Sequence, residues 1–308
     1  MNELKKNKKA EWPSLPYEEW KDTLDTLHMW MQIVGKIKLK LDPFLNQWWE
    51  VAFYVNAQGI TTGRIYFDAK TFEIEFNFIY HYISIKVSDG RKIIIPMKPC
   101  CVSKFYKEFT VALKSLGIDV EIYTMPVEFV NPIDFMKDNT HCSYDSKYVT
   151  RWWQIILQIN LIFDRFRTPF RGKSSPVQFY WGFFDLNSSR FSGKKAQPPK
   201  MDGIMGKIMR YAENEENFAF GFWPGDEKFP FPAFYSYIYP PPKGLENINL
   251  KSEIAAFDKK LSEYILLYED VIKSANPEKE IENFLQVTYI ESAKLAGWDT
   301  EALKGESP

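Results

Sequence analysis

The stretch Gly172-Lys173-Ser174-Ser175-Pro176-Val177-Gln178-Phe179-Tyr180-Trp181-Gly182-Phe183-Phe184-Asp185-Leu186 sets one carboxylate inside a ring-rich run. Arg190-Phe191-Ser192-Gly193 follows closely. Burying an ionised carboxylate among rings costs several kcal/mol unless a cation or several donors meet it. Lys173 and Arg190 are the nearest cations, so the sequence predicts Asp185 buried, ionised and paired with one of them. Such a pairing would form the wall of a polar site in an aromatic core, with Lys173, Ser175, Trp181 and Arg190 as its ligand-binding residues. Phe222-Trp223-Pro224-Gly225 and Phe234-Tyr235-Ser236-Tyr237-Ile238-Tyr239 extend the pattern. Alternate residues of a strand share a face, so Tyr235, Tyr237 and Tyr239 would line up their hydroxyls there. Trp223 and Tyr237 join the expected ligand contacts.

Proton transfer or metal binding would fall to histidine, and the chain has only three: His28, His81 and His141. His28 flanks an apolar helical stripe, and His81 follows an aromatic strand. His141 lies in Thr140-His141-Cys142-Ser143-Tyr144-Asp145, just before a helix. These histidines with Asp145 and Asp185 are the candidate catalytic residues. Asp145 is also well placed to cap the helix that follows it, the simpler role. No H-x-x-x-H or C-x-x-C spacing occurs, so no metal site is expected. Gly172-Lys173-Ser174 lacks the earlier glycine of a phosphate loop, since Arg167 stands in its place. Arg165, Arg167, Arg171 and Lys173 could hold an anion or simply form a solvated helix end.

These residues must be positioned by elements that the patterning outlines. Tyr17, Trp20, Leu24, Leu27 and Met31 recur at helical spacing after Pro16, and Ile33, Ile37 and Leu41 carry the stripe past Gly35 to Asp42-Pro43. Strands are expected over 48–55, 61–67, 71–78, 81–87 and 93–95, with turns at 56–59 and Asp89-Gly90, giving an antiparallel meander. Phe105 to Leu116 reads as a helix stopped by Gly117, followed by a short strand at 120–123 and a long connection to Tyr144. A helix from Asp145 to about Arg167 comes next. Strands are then expected at 177–186, 218–223 and 233–239, with a loop leading to Asp202-Gly203. The stretches 252–268 and 277–296 read as helices. The order helix, strands, helix occurs twice, which an internal duplication would explain. The expected class is α+β, antiparallel sheets flanked by helices. Its expected divisions are a disordered basic tail at 1–11, a first half at 12–145, a second half at 146–300 packed with the first as one unit, and a tail at 301–308.

Composition bounds the rest. The 308 residues are 45% hydrophobic and 17% aromatic, enough for a large ring-filled core. A net charge of −1 gives no electrostatic case for a nucleic-acid or anionic-membrane partner. Lys5 to Lys9 is a local basic run. The three cysteines, Cys100, Cys101 and Cys142, suggest no disulfide framework and fit reduced thiols in a cytoplasmic protein. Neither a signal peptide nor a run of about 20 apolar residues is evident.

Trp30-x-x-Ile33-Val34-Gly35-Lys36, Asn46-x-Trp48-Trp49, the long motif from Gly172 to Leu186, Arg190-Phe191-Ser192-Gly193 and Gly221-Phe222-Trp223-Pro224-Gly225 resemble a family of bacterial proteins known only as a domain of unknown function. The resemblance runs from Trp12 to about Trp298 and implies no activity, cofactor or substrate. It implies that histidines like His28, His81 and His141 recur in the family. Further family histidines fall where this chain has Gln47, Gln178 and Glu215 or Glu216, which weakens any metal role here. The resulting expectation is a protein that binds, or binds and turns over, a small polar ligand in an aromatic-walled cleft. A non-catalytic interaction or scaffold protein is the alternative. No residue pattern names a cofactor or an oligomeric state.

Overall fold

A computed structural model describes residues 12–305, so the basic run and the last three residues lie outside it. Helix α1 spans Tyr17–Leu41, and its apolar stripe runs unbroken through Gly35. The chain then makes a tight turn at Asn46–Trp48 where a strand was expected. Gln47 and Trp48 take positive φ values of 61° and 58°, which no strand tolerates, and pairing begins only at β1, Tyr54–Val55. Strands β2 (Gly59–Phe67), β3 (Lys70–Asn77), β4 (Tyr82–Val87) and β5 (Lys92–Pro96) complete an antiparallel meander in the order β1-β2-β3-β4-β5. Helix α2 (Val102–Ser115) follows and ends before Gly117, whose φ of 75° glycine adopts freely. No strand forms at 120–123.

Helix α3 (Ser146–Arg167) starts at Asp145, which caps it by accepting the Lys147 N–H. The expected single strand at 177–186 is a hairpin instead. Its arms are β6 (Gln178–Tyr180) and β7 (Asp185–Lys195), and its turn is Trp181 to Phe184. A short helix, α4 (Gly203–Ala212), occupies part of the expected loop. Strands β8 (Glu215–Trp223) and β9 (Ala233–Tyr239) match the reading. The stretch 252–268 is a second hairpin, β10 (Ala255–Asp258) and β11 (Glu263–Leu267), not a helix. Its apolar spacing suits either form, but Asp258 caps the tight turn by accepting the N–H groups of Lys260 and Leu261. Helices α5 (Tyr268–Lys273) and α6 (Pro277–Leu295) close the fold, and residues up to Gly305 fold back, with Lys304 bridging Phe170.

The second sheet has the order β10-β11-β9-β8-β7-β6. The fold is therefore α+β, with two antiparallel sheets flanked by helices. Edge strands β1 and β6 meet through Phe53 and Phe179, which exchange two backbone hydrogen bonds of 2.9 Å each. Around this junction the Trp152 ring touches Trp20, Phe78, Phe179 and Phe184, with centroids 5.0–6.3 Å apart. Each half repeats the order helix, sheet, helix, but one sheet has five strands and the other six. That likeness of order is as far as the duplication idea extends.

Two of the three cysteines are not the reduced thiols expected. Cys101 and Cys142 form a disulfide across 41 residues of chain, leaving Cys100 as the free thiol. Tertiary structure brings them side by side: the Val102 N–H at the head of α2 bonds the His141 carbonyl at 3.0 Å.

Candidate functional site

Asp185 is buried, as expected, but among the described residues it meets no cation. Its partner is the Tyr235 hydroxyl. The reason is the pleat of β7. Asp185 and Arg190 are an odd number of residues apart, so they leave opposite faces of the sheet. Arg190 turns toward α3 and α6. There its guanidinium lies over the rings of Phe166, Tyr289 and Phe170 at 3.6, 4.3 and 5.1 Å and donates to the Phe166 carbonyl. Lys173 pairs with Glu215 at 2.7 Å and sits over Phe191. Without a cation, burial pushes the Asp185 carboxyl up to about 6, against the pull of the Tyr235 bond. Gly221 makes that bond possible, because a side chain there would overlap the Tyr235 ring lying across β8. Tyr237 stacks beside Tyr235 and donates to Glu213 at 3.2 Å.

Two other predicted contacts are bound into the frame. The Trp181 indole packs on Gly35 and donates to the Val51 carbonyl at 3.0 Å. Ser175 accepts the Ser189 N–H at 2.9 Å, stitching the 173–177 loop to β7. Gln47 donates to Glu215 at 3.1 Å, and Gln178 accepts from the Tyr180 hydroxyl at 3.0 Å.

The histidines divide. His81, at φ 53° on the turn between β3 and β4, bonds the Tyr144 hydroxyl at 2.9 Å and stands apart from the others. His28 and His141 come together on one cavity of about 210 Å³, with Trp223 on its wall. The Phe129 ring stands edge-on to both imidazoles, at 5.4 and 5.5 Å. Asp145 and Asp185 do not line this cavity.

Helix α1 supplies one wall. Asp25, His28 and Gln32 lie three and four residues apart and so share a face. The Gln32 amide clamps Val127 in both directions, accepting its N–H at 2.9 Å and donating to its carbonyl at 2.6 Å. This pins the segment bearing Glu128, Phe129 and Asn131 over the helix. Nε2 of His28 lies 2.9 Å from the carbonyls of both Trp181 and Gly182, so that nitrogen carries the proton and anchors the β6–β7 turn. Burial pushes His28 down to about 4, which keeps it neutral.

Opposite stands His141. Its Nδ1 bonds Asp138 at 2.7 Å, and the Asp138 side chain is fully buried. Burial pulls the imidazole down, but the hydrogen bond and charge of Asp138, with the charges of Asp25 and Asp22, outweigh it and leave His141 raised. Among the described residues, four carboxylates line the cavity, Asp25, Glu128, Asp226 and Glu227, and no lysine or arginine does. Burial pushes Asp25 up to about 6 and Glu128 up to about 7, the latter helped by the charge of Asp185. Among the described residues, no group of three or more His, Cys, Asp or Glu is arranged for a metal ion, and no helix is long and apolar enough to cross a membrane.

Asp25, Glu128 and Asp138 are the site residues that motif reading misses. Asp25 sits three positions before His28 and Asp138 three before His141, a spacing legible in the sequence. Glu128 carries no such signal, because it lies in a long connection without periodicity. Residues 12–305 match DUF5996, a family of unknown function, and the chain belongs to that family. No curated protein and no solved structure matches the chain.

Proposed function

We propose that the protein binds a small organic cation, a primary or quaternary ammonium compound, in the cavity between α1, the 128–141 segment and Trp223. One observation carries the reading: among the described residues, four carboxylates and several rings face a common space that no lysine or arginine lines. Burial makes the ionised forms of two of them, Asp25 and Glu128, costly, and a cation entering beside them offsets that cost. Aromatic faces such as those of Trp223, Phe129 and Phe183 attract ammonium groups further. The volume, about 210 Å³, is below the range of roughly 300–1,000 Å³ usual for drug-sized ligands, so the ligand is small.

Calorimetric titration with methylammonium and tetramethylammonium, against acetate as control, tests this. The ammonium ions are expected to bind and acetate is not. Asp25→Asn and Glu128→Gln should each weaken binding about tenfold or more, equivalent to about 1.4 kcal/mol. Affinity should rise from pH 5 to pH 8, because Asp25 and Glu128 lose their protons near 6 and 7 and become attractive to a cation. Acetate binding, or indifference to both substitutions, would overturn the assignment.

A further inference from the structure

The His141–Asp138 pair is more than a cation site requires. Both oxygens of the buried Asp138 carboxylate are engaged. Oδ1 accepts the N–H groups of Thr140 and His141 at 3.0 Å each, and Oδ2 accepts Nδ1–H of His141 at 2.7 Å. The loop itself is pinned to α2: the Ser103 N–H bonds the Asp138 carbonyl at 2.9 Å, and Cys142 is joined to Cys101. The imidazole is thereby held in one orientation and one tautomer, with its proton on Nδ1 and a lone pair on Nε2. Nε2 has no protein partner among the described residues, and the ring lines the cavity. A carboxylate that fixes a histidine in this way prepares it to accept a proton. Asn131 and Thr140 line the same space, and among the described residues their side chains bond no protein group.

We propose that the cavity is hydrolytic, with His141 as general base toward a water that attacks a small ester, thioester or amide bearing an ammonium group. This rests on the cation reading, since Glu128 and the aromatic wall would hold the ammonium end. As the water oxygen bonds to the acyl carbon, its proton passes to Nε2 and the carbonyl electron pair moves onto oxygen. The Asn131 amide and the Thr140 hydroxyl, both on the cavity wall, are donors for that oxyanion. When the carbonyl re-forms, the bond to the leaving sulfur, oxygen or nitrogen breaks, and that atom takes the proton back from the imidazolium. Asp138 and Asp25 stabilise the imidazolium between the two half-steps. Water is the only co-reactant, and the products are an acid and a thiol, alcohol or amine.

The test uses the full chain with acetylthiocholine, followed by the thiol released, and glycine ethyl ester, followed by acid release. Turnover of at least one is expected. His141→Gln should lower kcat about 100-fold or more. The same variant should keep the parent's far- and near-ultraviolet circular dichroism, which shows that it is folded. Asp138→Asn should lower kcat and move the pH–rate profile, an effect that mere loosening of the loop would not produce. Tetramethylammonium binding with no hydrolysis of either probe, or turnover that survives His141→Gln, overturns the hydrolytic proposal and leaves the binding site standing. Failure of both methylammonium and tetramethylammonium to bind removes both.

Discussion

A carboxylate in a dry place lowers its cost by finding a cation, by collecting donors, or by keeping its proton. Asp185 takes the last two routes. Its pleat position turns it away from Arg190, so the Tyr235 hydroxyl and a raised pKa replace the expected ion pair. Stability should record this. An unfolded aspartate titrates at about 3.9, whereas burial in the fold pushes Asp185 up to about 6. Between those values the native state holds more protons than the unfolded chain, so its contribution to stability falls as pH rises through that window. Glu128 and Glu263, pushed up to about 7 by burial and then by the charge of Asp185, act in the same direction. Asp185→Asn removes the charge while keeping an acceptor for Tyr235. Its urea midpoint should match the parent near pH 4 and exceed it at pH 8; an equal difference at both pH values would show that charge is not the cause.

At the scale of elements, propensity and packing disagree at informative places. Gly35 looks like a helix stop, yet α1 continues for a further six residues, ending at Leu41. The glycine is there because the Trp181 indole lies directly on its Cα. This makes a sharp prediction. On helix propensity alone, Gly35→Ala should stabilise the protein by up to about 1 kcal/mol. The overlap with Trp181 should instead destabilise it by about 1–3 kcal/mol. Urea unfolding decides, and a stabilised variant would refute the packing account. The hairpins at 178–195 and 255–267 are alike in this: a four-residue turn flanked by apolar residues can imitate one strand or one helix, and in the second the Asp258 side chain fixes the reversal.

For the whole molecule, the decisive contacts join segments far apart in sequence. The Phe53–Phe179 bridge connects the two sheets, and the Trp152 ring fills the junction. The Cys101–Cys142 bond closes a 41-residue separation and fixes the loop that carries Asp138 and His141. Loop-closure entropy puts its contribution at about 4 kcal/mol. Cys142→Ser should therefore lower unfolding stability by roughly that amount, and thiol reductant should bring the parent to the same level. A parent unaffected by reductant would contradict the bond.

Periodicity and turn chemistry by themselves determined the α+β class, the long helices α1, α3 and α6, and the first meander from Gly59 onward, because those features depend on neighbours within a few residues. They also marked His28, His141 and Trp223, which the fold brings to one cavity. Only tertiary structure decided that Asp185 and Arg190 part company, that His81 stands elsewhere, that two cysteines join, and that Glu128 reaches the site. Those outcomes turn on which face of a strand a residue occupies and on which distant segment covers it. Spacing along the chain encodes the first only once the strand's limits are known, and it does not encode the second.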